Sequence, residues 1–457
     1  MNKNICRDWC GARLTAILLA ATILFGGGCA ADRGGRGGEI RNVLVIGVDT
    51  LRADFVGAYG GPEGRTPNAD RLAGKGALFE RCFVASNVTL PSFSSIMTGR
   101  YPIQTGVTAN GVELPDSETT MAEAFREAGH GTAAFVSSSI LDSRYGLVGG
   151  FQTYDDEMTK PSKEGTLERA AEDTTGRAVS WLEKNGGGRF FLFVHYFDPH
   201  MPYEAYSGRY RNMAAFERGF VYGLIDRKDL PGLKNIMSPL RDYYGQEVRH
   251  VDESIGRLLE TLDRLGLEKN TLVVLTSDHG EELFEHFMYP EHVASLYNSV
   301  TRVPLAISAP GKKPAAARIG NTVSSVDIMP TVLELAGLKV PAGIAGKSLV
   351  PLIEGEGEPG ERAAFTLRPP AGGFAEGQGY SVVRGKWKYI YYEKAPGRLF
   401  DLDEDPGERN DLSGTNPVLK AQLQNELAAW YSSRAADRKR KAGPETEKML
   451  KELGYIK

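Results

Sequence analysis

Asp278 and His279 stand at the end of Thr271-Leu-Val-Val-Leu-Thr-Ser-Asp-His-Gly-Glu-Glu282, where an apolar run empties at once into acidic, imidazole and glycine residues. A carboxylate beside an imidazole is a natural pair of ligands for a metal ion. The same pattern occurs in Arg41-Asn-Val-Leu-Val-Ile-Gly-Val-Asp49, where the apolar run 43–48 delivers Asp49 to its end. Two such strands can converge on one cation. Thr89 lies two residues before Pro91, and proline suits the first turn of a helix. That places the Thr89 hydroxyl at a helix amino end, where open N–H groups and the dipole favour a tetrahedral oxyanion. A threonine hydroxyl is a poor nucleophile at neutral pH unless a base or metal draws off its proton. A cation held by Asp49, Asp278 and His279 would do this. Each signal alone has a plainer reading: Ser277-Asp-His-Gly280 is equally a polar strand-to-loop turn, and Thr89 is equally a helix cap.

The elements that would position these residues are legible from periodicity. Continuous apolar runs read as strands buried on both faces, as in a parallel sheet, and ligands of such sheets gather beyond the carboxyl ends of the strands. Arg189-Phe-Phe-Leu-Phe-Val-His-Tyr-Phe-Asp-Pro-His200 is a third such strand, ending in Asp198 and His200. His195 inside it reads as a hydrogen-bonded core residue. Residues 66–76 read as a helix with proline near its start and glycine as its stop, and Asp54 as a turn or cap residue. Between 244 and 265, Val248, Val251, Ile255, Leu258, Leu259, Leu262 and Leu265 recur at helical spacing, an amphipathic helix on the sheet. His250 falls off that stripe and reads as a surface residue. Residues 205–240 show no clean period and are expected to form a loop region that shapes specificity.

A Pro/Gly-rich passage, 340–361, marks a boundary after a strand-to-helix element in which Asp327 reads as a cap. Beyond it, residues 380–392 and 398–408 read as short strands with tight turns, followed by a helix from Pro417 and a charged tail. Alternating Lys and Tyr there is read as packing rather than glycan or membrane contact.

The chain has 457 residues, 41% hydrophobic and 25% charged, enough for one large core with an appendage. A net charge of −4 gives no electrostatic footprint for nucleic acid. Arg7 and Arg13 precede an apolar run at 14–25, too short to span a bilayer but suited to a secretory signal. Residues 1–28 are therefore expected to be an export signal. Gly26-Gly-Gly-Cys29 resembles a bacterial lipoprotein cleavage site, with Cys29 as the lipidated residue, and 29–39 reads as a flexible tether. Gly26 departs from the larger aliphatic residue usual there, and simple cleavage and release is the alternative. Cys6, Cys10 and Cys29 all lie in this leader, so Cys82 is alone in the mature chain, in a half-buried strand pattern that favours a buried thiol.

Val48-Asp-Thr-Leu-Arg-Ala-Asp54, Thr66-Pro-Asn-Ala-Asp-Arg-Leu-Ala73, Thr89-Leu-Pro-Ser92 with Met97-Thr-Gly-Arg-Tyr-Pro102, and Thr276-Ser-Asp-His-Gly-Glu-Glu282 occur in the order found in the sulfatase family of the alkaline phosphatase superfamily, and the resemblance covers nearly everything after residue 40. It implies an α/β three-layer sandwich with a mostly parallel central sheet over 40–340 and a small antiparallel subdomain over 341–457. It also implies hydrolysis or transfer of sulfate or phosphate esters at a divalent cation, with calcium, manganese, magnesium and zinc all open. Matched by position, Asp49, Asp278 and His279 resemble the metal ligands and Thr89 the nucleophile. His200 resembles the histidine that binds ester oxyanions or protonates the leaving group, and His292 a substrate contact. His286, nearby, reads either as a further contact of this kind or as a loop histidine with no role. Two-metal relatives hold another cation with an Asp and two His, and Asp198, His200 and His292 have those types.

One departure bears on mechanism. Sulfatases carry Cys or Ser, then Pro two places later and Arg two places after that, the first residue being oxidised to formylglycine. This chain has Thr89, Pro91 and Phe93. Threonine cannot become that aldehyde, and it resembles the branch acting on phosphodiesters or transferring phospho-headgroups. Members that transfer lipid headgroups have several membrane spans, and no further span is read after the leader, which favours a hydrolase of the cell envelope. A catalytically silent lipoprotein that binds anionic glycans is the reading of a different class, and it requires neither metal nor turnover.

Overall fold

Runs of valine, isoleucine, leucine and phenylalanine build the centre of the sheet because such side chains suit a pleated surface covered on both sides. The computed structural model describes residues 39–434, apart from 159, 162–166, 204–222, 225–226, 228–229, 312–313, 315–317, 358–360 and 371–375. The export signal, Cys29, nearly all of the tether and the charged tail lie outside the described residues.

The strands of the first half are β1 (Asn42–Val48), β2 (Ala77–Phe83), β3 (Gly131–Phe135), β4 (Thr153–Asp155), β5 (Lys160–Pro161), β6 (Leu167–Glu168) and β7 (Phe190–Tyr196). Then come β8 (Thr271–Ser277), β9 (Arg302–Val303), β10 (Leu305–Ser308) and β11 (Arg318–Ser324). Among the described residues the main sheet runs β11-β2-β10-β8-β1-β7-β3-β4, with β9 on β2, while β5 and β6 form a separate ribbon. It is mostly parallel: β1 pairs in parallel with both β7 and β8, and β10 is antiparallel to its neighbours.

Side-chain alternation along β1 divides two cores. Val43 and Val45 pack with Phe93, Ile96, Phe125 and Met329 on one face. Leu44, Ile46 and Val48 pack with Leu72, Leu182, Tyr244 and Val248 on the other. The first face is covered by helices Thr89–Thr98, Met121–Glu127 and Ile328–Leu335, the second by Pro67–Lys75, Ala171–Asn185 and Leu230–Arg264. This is the expected three-layer sandwich. Every residue of β1, β7 and β8 is buried. Each large apolar side chain so buried contributes about 1.5–3 kcal/mol, so the strand ends are a rigid platform.

Two local expectations are corrected. The helix expected from residue 244 begins at Leu230, inside the stretch read as loop; Pro231, Gly232 and the internal Pro239 hide its period. His250 is buried rather than exposed, with Nε2 2.9 Å from Glu172 Oε2. The helix is covered on two sides, by the sheet along its apolar stripe and by helix Ala171–Asn185 on the flank that carries His250. Cys82 is buried, as its pattern indicated.

A second sheet, in order β12 (Ala363–Arg368), β13 (Gly379–Arg384), β14 (Trp387–Tyr392), β15 (Arg398–Asp401), is antiparallel. Helix Pro417–Arg434 covers one face through Leu423, Leu427 and Trp430. The other face packs Val383, Ile390 and Phe400 against Leu296 and Tyr297. Lys388, Tyr389 and Tyr392 are buried, so the Lys/Tyr alternation is packing. This sheet braces the chain on both sides of the site. Leu367 N–H donates to Ala85 O at 2.9 Å and Asn87 N–H to Leu367 O at 3.3 Å, just ahead of Thr89. No helix among the described residues is long and apolar enough to cross a membrane.

Candidate active site

Asp49 and Asp278 follow directly on β1 and β8, and both are fully buried. One oxygen of Asp278 is committed to the backbone: Oδ1 accepts from His279 N–H at 2.9 Å and Thr50 N–H at 3.3 Å. Its Oδ2 has no hydrogen-bond partner, and neither has Asp49 Oδ1. Both of these oxygens face His279 Nε2, at 3.1 Å and 3.9 Å. His279 Nδ1 donates its hydrogen to Gly280 O at 3.0 Å, which leaves Nε2 as the nitrogen with a lone pair. Two carboxylate oxygens and one imidazole nitrogen therefore converge without a proton donor between them. Among the described residues this is the group of acid and imidazole side chains whose ligand atoms lie within 4.8 Å of one another. Buried polar groups in such a state call for an ion, and this donor set fits a hard or borderline divalent cation.

Electrostatics agree. Burial, then the charge of Asp49, pushes the Asp278 carboxyl well above its ordinary range. Burial alone would also raise Asp49, but the imidazoles of His195, His200 and His279 hold it below the ordinary range. Asp278 is thus the carboxyl that gains a proton first, and a cation would supply the charge that keeps both ionised. Burial pushes the His279 imidazole down to about 4, so it is neutral and ready to ligate near neutrality.

Thr89 opens the helix Thr89–Thr98, with Val88 as its extended N-cap and Gly99, at φ 65°, ending it. Its Oγ1 lies 3.5 Å from Asp49 Oδ2 and 3.5 Å from His279 Nε2. The helix offers an anion fewer N–H groups than expected: Leu90 N–H is taken by Asn110 Oδ1 at 2.9 Å, and Pro91 has none. Ser92 Oγ donates to Asp278 O at 2.7 Å and ties the helix to the β8 turn. Phe93, where sulfatases carry arginine, is fully buried with its ring against Gly47 of β1, where an added Cβ would come within 2.5 Å of it. Thr50 takes φ 52°, a costly conformation for a β-branched residue. Tyr244 holds it there, its hydroxyl donating to Thr50 O at 2.7 Å and accepting from Arg52 N–H at 2.9 Å. Arg52 pairs with Asp54 and Glu285, so Asp54 has a structural partner.

His279, His292 and His200 form a row of rings, 4.0 Å between the first two centroids and 5.4 Å between the last two. His292 Nδ1 donates to Asn87 O at 2.7 Å and His200 Nδ1 to Met201 O at 2.6 Å, which fixes both rings through Nδ1. Burial, then His279 and His200, keeps His292 well below the usual imidazole range and therefore neutral. The second cation set is not assembled. Asp198 Oδ2 instead accepts from Ala171 N–H at 3.1 Å, at the start of a helix, and its carboxyl lies beside His250. His286 has a structural place, bonded to Glu282 at 3.0 Å and stacked on Tyr297 at 3.6 Å.

Sequence reading missed two residues. Asn110 is buried, and with Oδ1 fixed by Leu90 its Nδ2 has no acceptor, a donor left over beside the residue after Thr89. Asn110 precedes Gly111, two turn-forming residue types that carry no sign of a buried role. His195 is a buried core residue, as read, but its Nε2 also lies 3.6 Å from Asp49 Oδ2. It stands in register opposite Gly47, two residues before Asp49, a pairing that the sequence alone does not give.

A mostly parallel sandwich with acidic, imidazole and hydroxyl side chains gathered at its strand ends defines a hydrolase of the alkaline phosphatase superfamily. Within it the chain belongs to the sulfatase family, whose family model matches residues 41–338. The model of the N-sulphoglucosamine sulphohydrolase C-terminal region matches 285–433. An ulvan-active sulfatase of Formosa agariphila is 29% identical over 425 residues, spanning 87% of this chain and 81% of that relative. A multifunctional alkaline phosphatase superfamily protein of Trinickia caryophylli is 26% identical over 501 residues, 86% of this chain and 96% of the relative. The phosphonate monoester hydrolase of Agrobacterium radiobacter superposes with a TM-score of 0.69 at 23% identity, over 86% of this chain and 96% of that one, a likeness of fold.

Proposed function

We propose that the protein hydrolyses sulfate or phosphate esters with Thr89 as nucleophile and Asp49, Asp278 and His279 as ligands of one divalent cation. The observation that carries this reading is the position of Thr89 Oγ1, 3.5 Å from both Asp49 Oδ2 and His279 Nε2, beside two carboxylate oxygens with no partner. A bound cation would lower the pKa of the hydroxyl and offset charge on the ester oxygens. Asp49 Oδ2 orients the hydroxyl and is placed to carry its proton away. The Thr89 oxygen then forms a bond to sulfur or phosphorus as the bond to the leaving oxygen breaks, and His200, protonated on both nitrogens before the step, delivers its Nε2 proton to that oxygen and is left neutral. His292 Nε2 contacts the non-bridging oxygens. Threonine has no second hydroxyl on its β-carbon to expel the bound anion by elimination, so release requires water to attack the sulfur or phosphorus. His200 takes that water's proton in the return step.

Which ester is cleaved turns on two observations. Family membership and the ulvan-active relative favour sulfate, whereas Thr89, in place of the residue that becomes formylglycine, favours phosphodiesters. Metal analysis of the purified protein, followed by aryl sulfate, aryl phosphodiester and aryl phosphonate probes, tests the reading. One cation per chain and turnover of at least one probe are expected. No metal and no turnover would instead support the silent, glycan-binding lipoprotein. We further propose from residues 1–38 that the chain is exported and anchored to the cell envelope through a lipid on Cys29. Loss of the protein from the membrane fraction on Cys29→Ala is the expected result.

A further inference from the structure

We propose that His195 is a positioning residue: its Nε2–H holds Asp49 Oδ2 and thereby presents Asp49 Oδ1 to the cation. This rests on the metal assignment above. Nothing in the sequence pointed to it beyond a histidine in an apolar strand.

His195 is fully buried in β7. Ser137 N–H donates to its Nδ1 at 3.3 Å, which makes Nδ1 the acceptor and leaves the hydrogen of the neutral ring on Nε2. Ser137 is itself fixed, its Oγ bonded to His195 O at 2.6 Å and within 2.7 Å of Thr174 Oγ1. The hydrogen on Nε2 has no other acceptor and points toward Asp49 Oδ2 at 3.6 Å. A buried N–H without a partner, aimed at a buried carboxylate oxygen, is stabilised by closing that small gap.

Phe93 completes the arrangement. Its ring meets that of His195 edge-on, centroids 4.9 Å apart at 88°, and packs the imidazole in the core. Because Phe93 fills the place where sulfatases carry arginine, no guanidinium reaches Asp49 from this helix. The two carboxylates then divide their oxygens alike. Asp278 Oδ1 is held by backbone N–H groups, and Asp49 Oδ2 by Thr89 and His195, so that Asp278 Oδ2 and Asp49 Oδ1 are left for the ion. When Thr89 is ionised it ceases to donate, and His195 is then the side chain that keeps Asp49 from turning. Partners of this kind change metal affinity by roughly 10–100-fold.

The test compares His195→Gln, whose amide N–H reaches the position of Nε2, with His195→Asn, whose shorter amide reaches only that of Nδ1. Metal-stripped full-length protein is titrated calorimetrically with manganese and calcium chlorides, and thermal unfolding of the metal-free proteins is recorded beside it. We expect wild-type affinity within about threefold for Gln and a loss of roughly 10–100-fold for Asn, with similar metal-free unfolding temperatures. Equal affinity of the Asn variant and wild type, or equal losses in both variants, would overturn the role of His195 while leaving the metal assignment standing. Absence of binding by the wild type would overturn both.

Discussion

Asp49 and Asp278 occupy equivalent positions on neighbouring parallel strands: β1 and β8 pair Val48 with Ser277, and each carboxylate is the next residue along. Two acids 229 positions apart, by the difference of their residue numbers, are thereby brought level at one sheet edge. Like charges in a dry site repel, so the sheet itself builds in a demand for a cation.

That demand sets a pH dependence. In the metal-free site burial and the Asp49 charge keep Asp278 protonated above its ordinary range, while burial holds His279 neutral down to about 4. Where Asp278 holds its proton the entering ion must displace it, but above about pH 4 it displaces none from His279. Affinity therefore rises with pH while Asp278 remains protonated, by up to about tenfold per pH unit. Calorimetric titration in buffers of different ionisation enthalpy should show proton release that falls away as pH rises; identical heats in all buffers at acid pH would count against a protonated Asp278.

His200 and His292 should fail differently. His200→Ala is expected to lower kcat by 10²–10⁴-fold, in order of magnitude, for alkyl esters whose leaving oxygen needs a proton, with little effect on nitrophenyl esters. His292→Ala should raise KM for both. A leaving-group series on each variant separates the roles, and uniform losses across the series would remove the general-acid role from His200.

Gly47→Ala tests the seat of helix Thr89–Thr98. The new methyl would lie 2.5 Å from the Phe93 ring, between two packed layers. Overpacking of this kind costs roughly 1–3 kcal/mol, and relief requires the Thr89 helix to move. Urea unfolding should show that loss together with reduced turnover; unchanged stability would mean that Phe93 yields easily.

Tyr244→Phe should leave the Thr50 carbonyl and the Arg52 N–H, now bonded to one hydroxyl, without that partner. About 1–3 kcal/mol is expected, read by urea unfolding. Weaker metal binding should accompany it, because Thr50 N–H holds Asp278.

Much of this was legible because burial writes itself into sequence. Strands β1, β7 and β8 are covered on both faces and therefore read as unbroken apolar runs, and the residue types at their ends announced a site. Helix Leu230–Arg264 was legible only where its apolar stripe is unbroken, since Pro231, Gly232 and Pro239 interrupt its first turns. His250 was misread because a one-stripe pattern assumes one buried face, whereas this helix also meets helix Ala171–Asn185. Asp198 and His200 have the types for a second ion, but types carry no direction, and Asp198 turns to a helix end. Asn110 and His195 reach the site through orientation, which pairing and rotamers decide and composition does not.

The most direct measurement of the central claim is mass analysis of protein quenched during turnover, with peptide mapping of the adduct. The account predicts one sulfuryl or phosphoryl group on Thr89, and neither adduct nor turnover in Thr89→Ala with its metal content unchanged. Undiminished turnover by Thr89→Ala, or an adduct at another residue, would contradict it.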